Sequence, residues 1–69
     1  MLDDNYVLTP RELEATTLVA HGGGIKGTAR QMKVSYFTVK NYLNRARIVT
    51  GAPTTANLIY RLMRKGLIR

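Results

Sequence analysis

Four breaks decide what this chain can fold into: Gly22-Gly23-Gly24, Lys33-Val34-Ser35, Gly51-Ala52-Pro53 and Gly66. Between them, apolar and small residues recur at intervals of three and four, the spacing of a helix with one buried face. The only β-branched run, Ile48-Val49-Thr50, is too short to argue for a strand. The expectation is an all-α domain of four helices, without repeats or low-complexity tracts. The first helix has a complete start signal in Leu8-Thr9-Pro10-Arg11-Glu12. Thr9 can cap, Glu12 can reach back to the Thr9 amide, Leu8 can fix the entry angle, and Pro10 needs no amide partner at the first position. Its inward positions are Leu13, Ala15, Thr16, Val19 and Ala20, and the glycine triplet ends it.

A second helix is expected over about residues 25–33, with Ile25, Thr28, Ala29 and Met32 inward and Gly27 weakening it by about 1 kcal/mol. Ser35 is placed to cap a third helix, whose core positions are Val39, Tyr42, Leu43 and Ala46. Thr54 or Thr55 can cap a fourth, with Leu58, Ile59, Leu62 and Met63 on its apolar side.

Size and residue types exclude most chemistry. A chain of 69 residues buries only about 60 % of its unfolded surface, which leaves little room for a buried active site. With no cysteine and His21 as the single histidine, neither a thiolate or His-paired metal site nor a histidine-based triad is expected. Glu12 and Glu14 are two apart and face different sides of the helix, so they do not form an acid–base pair. The run Gly22–Thr28 has Lys-Gly-Thr where a phosphate-binding loop needs Gly-Lys followed by Ser or Thr. The expectation is a protein without enzymatic activity, cofactor or metal. No stretch approaches the roughly 18 apolar residues of a membrane span and no leader pattern opens the chain, which points to the cytoplasm.

Charge supplies the positive clue. All four acids, Asp3, Asp4, Glu12 and Glu14, fall in the first fourteen residues, whereas the 55 residues from Ala15 to Arg69 hold ten Lys and Arg and no acid. Such a segment attracts a polyanion, with nucleic acid the foremost partner and an anionic membrane surface the second. Two short helices joined by a turn of three or four residues, the second with a basic and polar outer face, match the helix-turn-helix plan. Along the third helix, Ser35 and Thr38 can donate to phosphates, Lys40 can bond guanine, Asn41 and Asn44 can pair with adenine, and Arg45 and Arg47 can hold backbone. Tyr36 and Phe37 have three options: the sugar-phosphate backbone, a base, or packing on the first helix.

At these residues the chain resembles the LuxR/NarL, or GerE-type, class of bacterial DNA-binding domains, from Leu8 to Ile68. Leu8-Thr9-Pro10-Arg11-Glu12-Leu13-Glu14 is similar to that family's opening signature and Val19-Ala20-His21-Gly22 to the end of its first helix. Val34-Ser35 and Thr38-Val39-Lys40-Asn41-Tyr42-Leu43 are similar to its turn and recognition helix, and Gly51 to the loop before its last helix. The resemblance implies a tetra-helical, four-helix bundle-like domain over 8–69 behind an acidic arm at 1–7, with a recognition helix at about 35–49 and a dimerisation helix at about 55–65. It implies base contacts from Lys40, Asn41 and Asn44, and phosphate contacts from Ser35, Thr38 and Lys26. Tyr36, Arg45 and Arg47 join the backbone set. The apolar side of the last helix, Leu58, Ile59, Leu62 and Met63, is the expected interface for a second copy or a partner.

The function so implied is a sequence-specific, dimeric regulator of transcription binding double-stranded DNA, bacterial or phage. It is most like the stand-alone small regulators of the family, since only eight residues precede the first cap. RNA polymerase or another regulator is a further partner to consider. The competing expectations are a helix-turn-helix scaffold that binds protein, and sequence-tolerant DNA coating. Departures from the family pattern at Thr16, Gly27, Thr28 and Thr50-Gly51-Ala52 are expected to thin the core, each lost branched apolar side chain removing roughly 1–3 kcal/mol of burial.

Overall fold

The computed structural model describes residues 7–69, so the acidic arm at 1–7 lies almost wholly outside the described residues. Among the described residues every regular element is helical and no strand occurs. Helix α1 spans Pro10–Leu18, α2 Gly24–Met32, α3 Tyr36–Thr50 and α4 Thr55–Arg64. A five-residue π-type turn, Val19–Gly23, joins α1 to α2, and the backbone bends at Gly22, whose φ of 90° needs glycine.

Side-chain caps fix the starts of α1, α3 and α4. At α1 the capping box is complete: the Glu12 amide donates to Thr9 Oγ1 at 3.2 Å and the Thr9 amide donates to Glu12 Oε1 at 2.9 Å. Ser35 caps α3 by accepting from the Thr38 amide, and Thr54 caps α4 by accepting from the Asn57 amide, both at 3.0 Å. The ends of α2, α3 and α4 share one device, a left-handed residue followed by an amide that reaches back five positions. Val34 donates to Ala29 O, Ala52 to Arg47 O and Leu67 to Leu62 O. Gly51 and Gly66 supply the left-handed conformation at two of these ends, but at α2 it is Lys33, with φ 59° and ψ 44°. A side chain there is strained by about 1–2 kcal/mol.

Helix α3 lies at the centre, packed by α1, α2 and α4. Its buried face, Val39, Leu43, Ala46 and Thr50, meets Ala15 and Thr16 of α1, Ala29 and Met32 of α2, and Leu58 and Leu62 of α4 within one core. The core is thin, as the departures imply. Alanines at 15, 29, 46 and 52 and threonines at 16, 28 and 50 occupy it, and the largest fully buried side chains are Leu58, Leu62 and Val39. Two of the threonines satisfy their hydroxyls within their own helix: Thr16 donates to Glu12 O at 2.9 Å and Thr50 to Ala46 O at 2.8 Å. Thr28 Oγ1 is fully buried with no hydrogen-bond partner.

Met63 departs from the expected core. It is 49 % exposed, because the inward direction of α4 is set by Leu58 and Leu62, and Met63 falls on the far side of Leu62.

Two stability outcomes follow from these features. Thr28→Val keeps the shape and removes the orphaned hydroxyl, so it should stabilise the domain by about 1 kcal/mol in urea unfolding. Lys33→Gly should also stabilise, by up to about 1 kcal/mol, because relief of the left-handed strain outweighs glycine's extra unfolded-state entropy.

Candidate nucleic-acid interface

The burial pattern of α3 defines its opposite face. With Val39, Leu43, Ala46 and Thr50 inward, Phe37, Lys40, Asn41, Asn44 and Ile48 fall along one exposed stripe. The structure therefore brings Lys40, Asn41 and Asn44 together on the outward side of one helix. Neither Asn41 nor Asn44 has a side-chain hydrogen bond to another described residue, so their donors and acceptors face solvent.

The helix start is ordered by its own side chains. Ser35 Oγ and Thr38 Oγ1 lie 2.9 Å apart, while Ser35 stays exposed and Thr38 is half-buried. The Tyr36 and Phe37 rings meet edge to face at 5.9 Å between centroids, and the Lys40 ammonium lies 5.8 Å from the centre of the Tyr36 ring. Phe37 is 72 % exposed, which excludes its packing on the first helix. Tyr36 is also solvent-facing, beside Lys40. Lys26 stands apart on α2, exposed along with Arg30 and Lys33.

The two arginines expected at the backbone differ in what already holds them. Arg45 Nε pairs with Glu12 Oε2 at 3.1 Å; the Glu12 side chain is buried, whereas that of Arg45 remains 70 % exposed. Its outer nitrogens thus face solvent from an anchored base. Arg47 is half-buried, donating from Nε to Ala52 O at 3.4 Å and from Nη2 to Pro53 O at 2.5 Å. It ties the α3–α4 connection, so part of the donor set expected at a phosphate is engaged within the chain. Arg61 reinforces the same junction, donating to Thr50 O at 2.8 Å and to Asn57 Oδ1 at 2.6 Å.

Of the residues expected at an α4 interface, only Ile59 and Met63 keep accessible surface. Leu58 and Leu62 are fully buried within this chain, and Ile59 is half-buried against the core. The apolar surface on this side comes from Met63 together with Tyr60 and Leu67.

Sequence reasoning left Phe37 open among three options and did not single out Ile48, which is 78 % exposed. The signal was present in their spacing, four residues from Asn41 and Asn44 respectively and out of phase with Val39, Leu43 and Ala46. It also missed the Glu12–Arg45 pair, which joins residues far apart in the chain.

The remaining acid of α1, Glu14, pairs with Arg11 at 3.1 Å, and the Arg11 pKa is raised by hydrogen bonding to Tyr42 and then to Glu14. Arg11 also donates to Met32 O at 3.4 Å. Among the described residues no group of three or more His, Cys, Asp or Glu is placed to hold a metal ion, and no helix is long and apolar enough to cross a membrane. Comparison with known proteins finds no matching family model, curated protein or solved structure.

Glu12→Ala should cost about 2 kcal/mol, since it removes the reciprocal cap and a buried acceptor. Arg45→Ala should cost less than about 1 kcal/mol, because that partner is mostly in solvent. Equal losses in urea unfolding would show that the ion pair, not the cap, carries the effect.

Proposed function

We propose that α2, the turn at 33–35 and α3 act as a helix-turn-helix, with α3 entering the major groove of double-stranded DNA. The observation that carries this reading is the outward face of α3. It presents an ammonium and two unengaged carboxamides side by side, in a chain whose last 55 residues contain no acid. A helix that reads base edges needs such groups near its N-terminal half, with cations alongside for phosphate. Lys40, Asn41 and Asn44 are the base readers. Ser35, Tyr36 and Thr38 at the helix start, Arg45 beside it and Lys26 on α2 are the phosphate and sugar contacts. The resemblance to the LuxR/NarL class supports the same assignment through the residues that carry it.

In this reading the protein is a regulator of transcription, bacterial or phage, working in the cytoplasm without cofactor or catalytic activity. Two copies read an inverted repeat, and their contact uses Ile59, Tyr60, Met63 and Leu67 on the α4 side. A scaffold that binds protein is the second reading, favoured by the exposure of Phe37, Ile48 and Val49 on α3. Polymerase or another regulator would be its partner.

The deciding experiment is binding to a pool of random duplexes at two salt concentrations, followed by sequencing of what stays bound. A steep salt slope with an enriched inverted repeat is the expected result. Binding that fades with salt and enriches nothing would indicate coating, and no binding at low salt would favour the protein scaffold. On the enriched duplex, Lys40→Ala and Asn41→Ala should each cost about 1–3 kcal/mol and relax preference at one position. Equal losses on specific and random DNA would remove them as base readers.

A further inference from the structure

The geometry points to an A·T-biased recognition site in which Phe37 reads the C5-methyl group of thymine beside adenines bound by Asn41 and Asn44. The inference rests on the DNA-binding reading above and specifies what that surface selects.

Three observations carry it. First, Phe37 lies 72 % exposed at the start of α3, on the stripe that continues through Lys40, Asn41 and Asn44. The major groove offers one apolar feature to such a ring, the thymine methyl. Tyr36 meets it edge to face at 5.9 Å, which limits the directions the ring can take.

Second, the carboxamides of Asn41 and Asn44 match the donor and acceptor pair that adenine shows in the major groove. From Phe37 to Asn44 the helix rises about 10 Å, the length of about three base pairs. The ring and the two amides can therefore address neighbouring base pairs rather than one.

Third, no arginine lies on the stripe itself. Arginine makes the commonest bidentate contact to guanine, but Arg45 lies to one side of the stripe, turned toward α1 by Glu12, and Arg47 is tied to the carbonyls of Ala52 and Pro53. Lys40 is the one cation on the stripe, its ammonium 5.8 Å from the centre of the Tyr36 ring, and as a base reader it accounts for a single guanine among the A·T pairs. A surface with two adenine readers, one methyl reader, one lysine and no arginine on the stripe is biased toward A·T pairs.

The test uses the full chain and two random duplex libraries, one containing thymine and one with uracil throughout in its place. Selection at physiological salt from the thymine library should enrich A·T-rich sites. On the enriched duplex, measured by fluorescence anisotropy, uracil in place of the contacted thymine should weaken the wild type about fourfold, the value of one buried methyl group. Phe37→Ala should bind the thymine duplex about that much more weakly and become indifferent to uracil. Phe37→Leu should keep the preference for thymine. Because Phe37 is exposed, both variants should retain the wild-type far-ultraviolet circular dichroism.

Enrichment of G·C-rich sites would overturn the inference while leaving the DNA-binding function standing. So would full uracil sensitivity in Phe37→Ala. Absence of binding to any duplex at low salt would overturn the functional reading, and this inference with it.

Discussion

The Glu12 carboxylate is the interaction on which the rest of the structure depends. One oxygen accepts from the Thr9 amide and closes the start of α1; the other accepts from Arg45 and ties α1 to α3. A buried charge is tolerated only with such partners, and here the amide is supplied by the cap while Arg45 approaches from the solvent side. The pair also restricts rotation of α3 about its axis, since a turn of one residue would carry Arg45 away from α1. By holding that rotation it determines which side chains of α3 face outward. The candidate interface is thus set in part by a contact at its own edge.

That single anchor matters because the apolar packing around it is slight. Alanine at 15, 29, 46 and 52 lets the helices approach closely but buries little area per residue. Thr16 and Thr50 return their hydroxyls to their own helices, and Thr28 leaves one unmatched. Leucines 58 and 62 compensate from α4, which explains why that helix packs inward with its two largest branched side chains. A domain of this kind has a small stability margin, and a ligand that binds only the folded state would raise it appreciably.

What could be read from the sequence was local. Thr9, Glu12, Ser35 and the stops at Gly51 and Gly66 act within a few residues, so their chemistry is visible in the chain itself. The inward phase of α3 was also legible, because Val39, Leu43 and Ala46 repeat at helical spacing. Lys33 was not, since nothing in a lysine announces a left-handed backbone; the requirement comes from the five-residue return bond to Ala29. The roles of Arg45 and Arg47 escaped for a related reason. A cation on a helix surface looks the same in sequence whether it faces a phosphate, a carboxylate on another helix or a loop carbonyl. Met63 was misplaced because spacing of three and four admits two adjacent phases, and only packing against α3 chooses between them.

The same tertiary pairing sorts the charges by task. Glu14 holds Arg11 and Glu12 holds Arg45, so both described acids lie in ion pairs on α1. Lys26, Arg30 and Lys33 on the α2 side have no acid within their own helix to offset them. Their field is long-ranged and indifferent to sequence, suited to drawing in a polyanion and orienting it. The stripe on α3 is the opposite: carboxamides and an aromatic ring that act only in contact and differ in their response to each base. In the proposed complex affinity and discrimination therefore reside on different elements. Neutralising a cation of α2 would weaken all DNA alike, whereas altering the α3 stripe would change which DNA is bound.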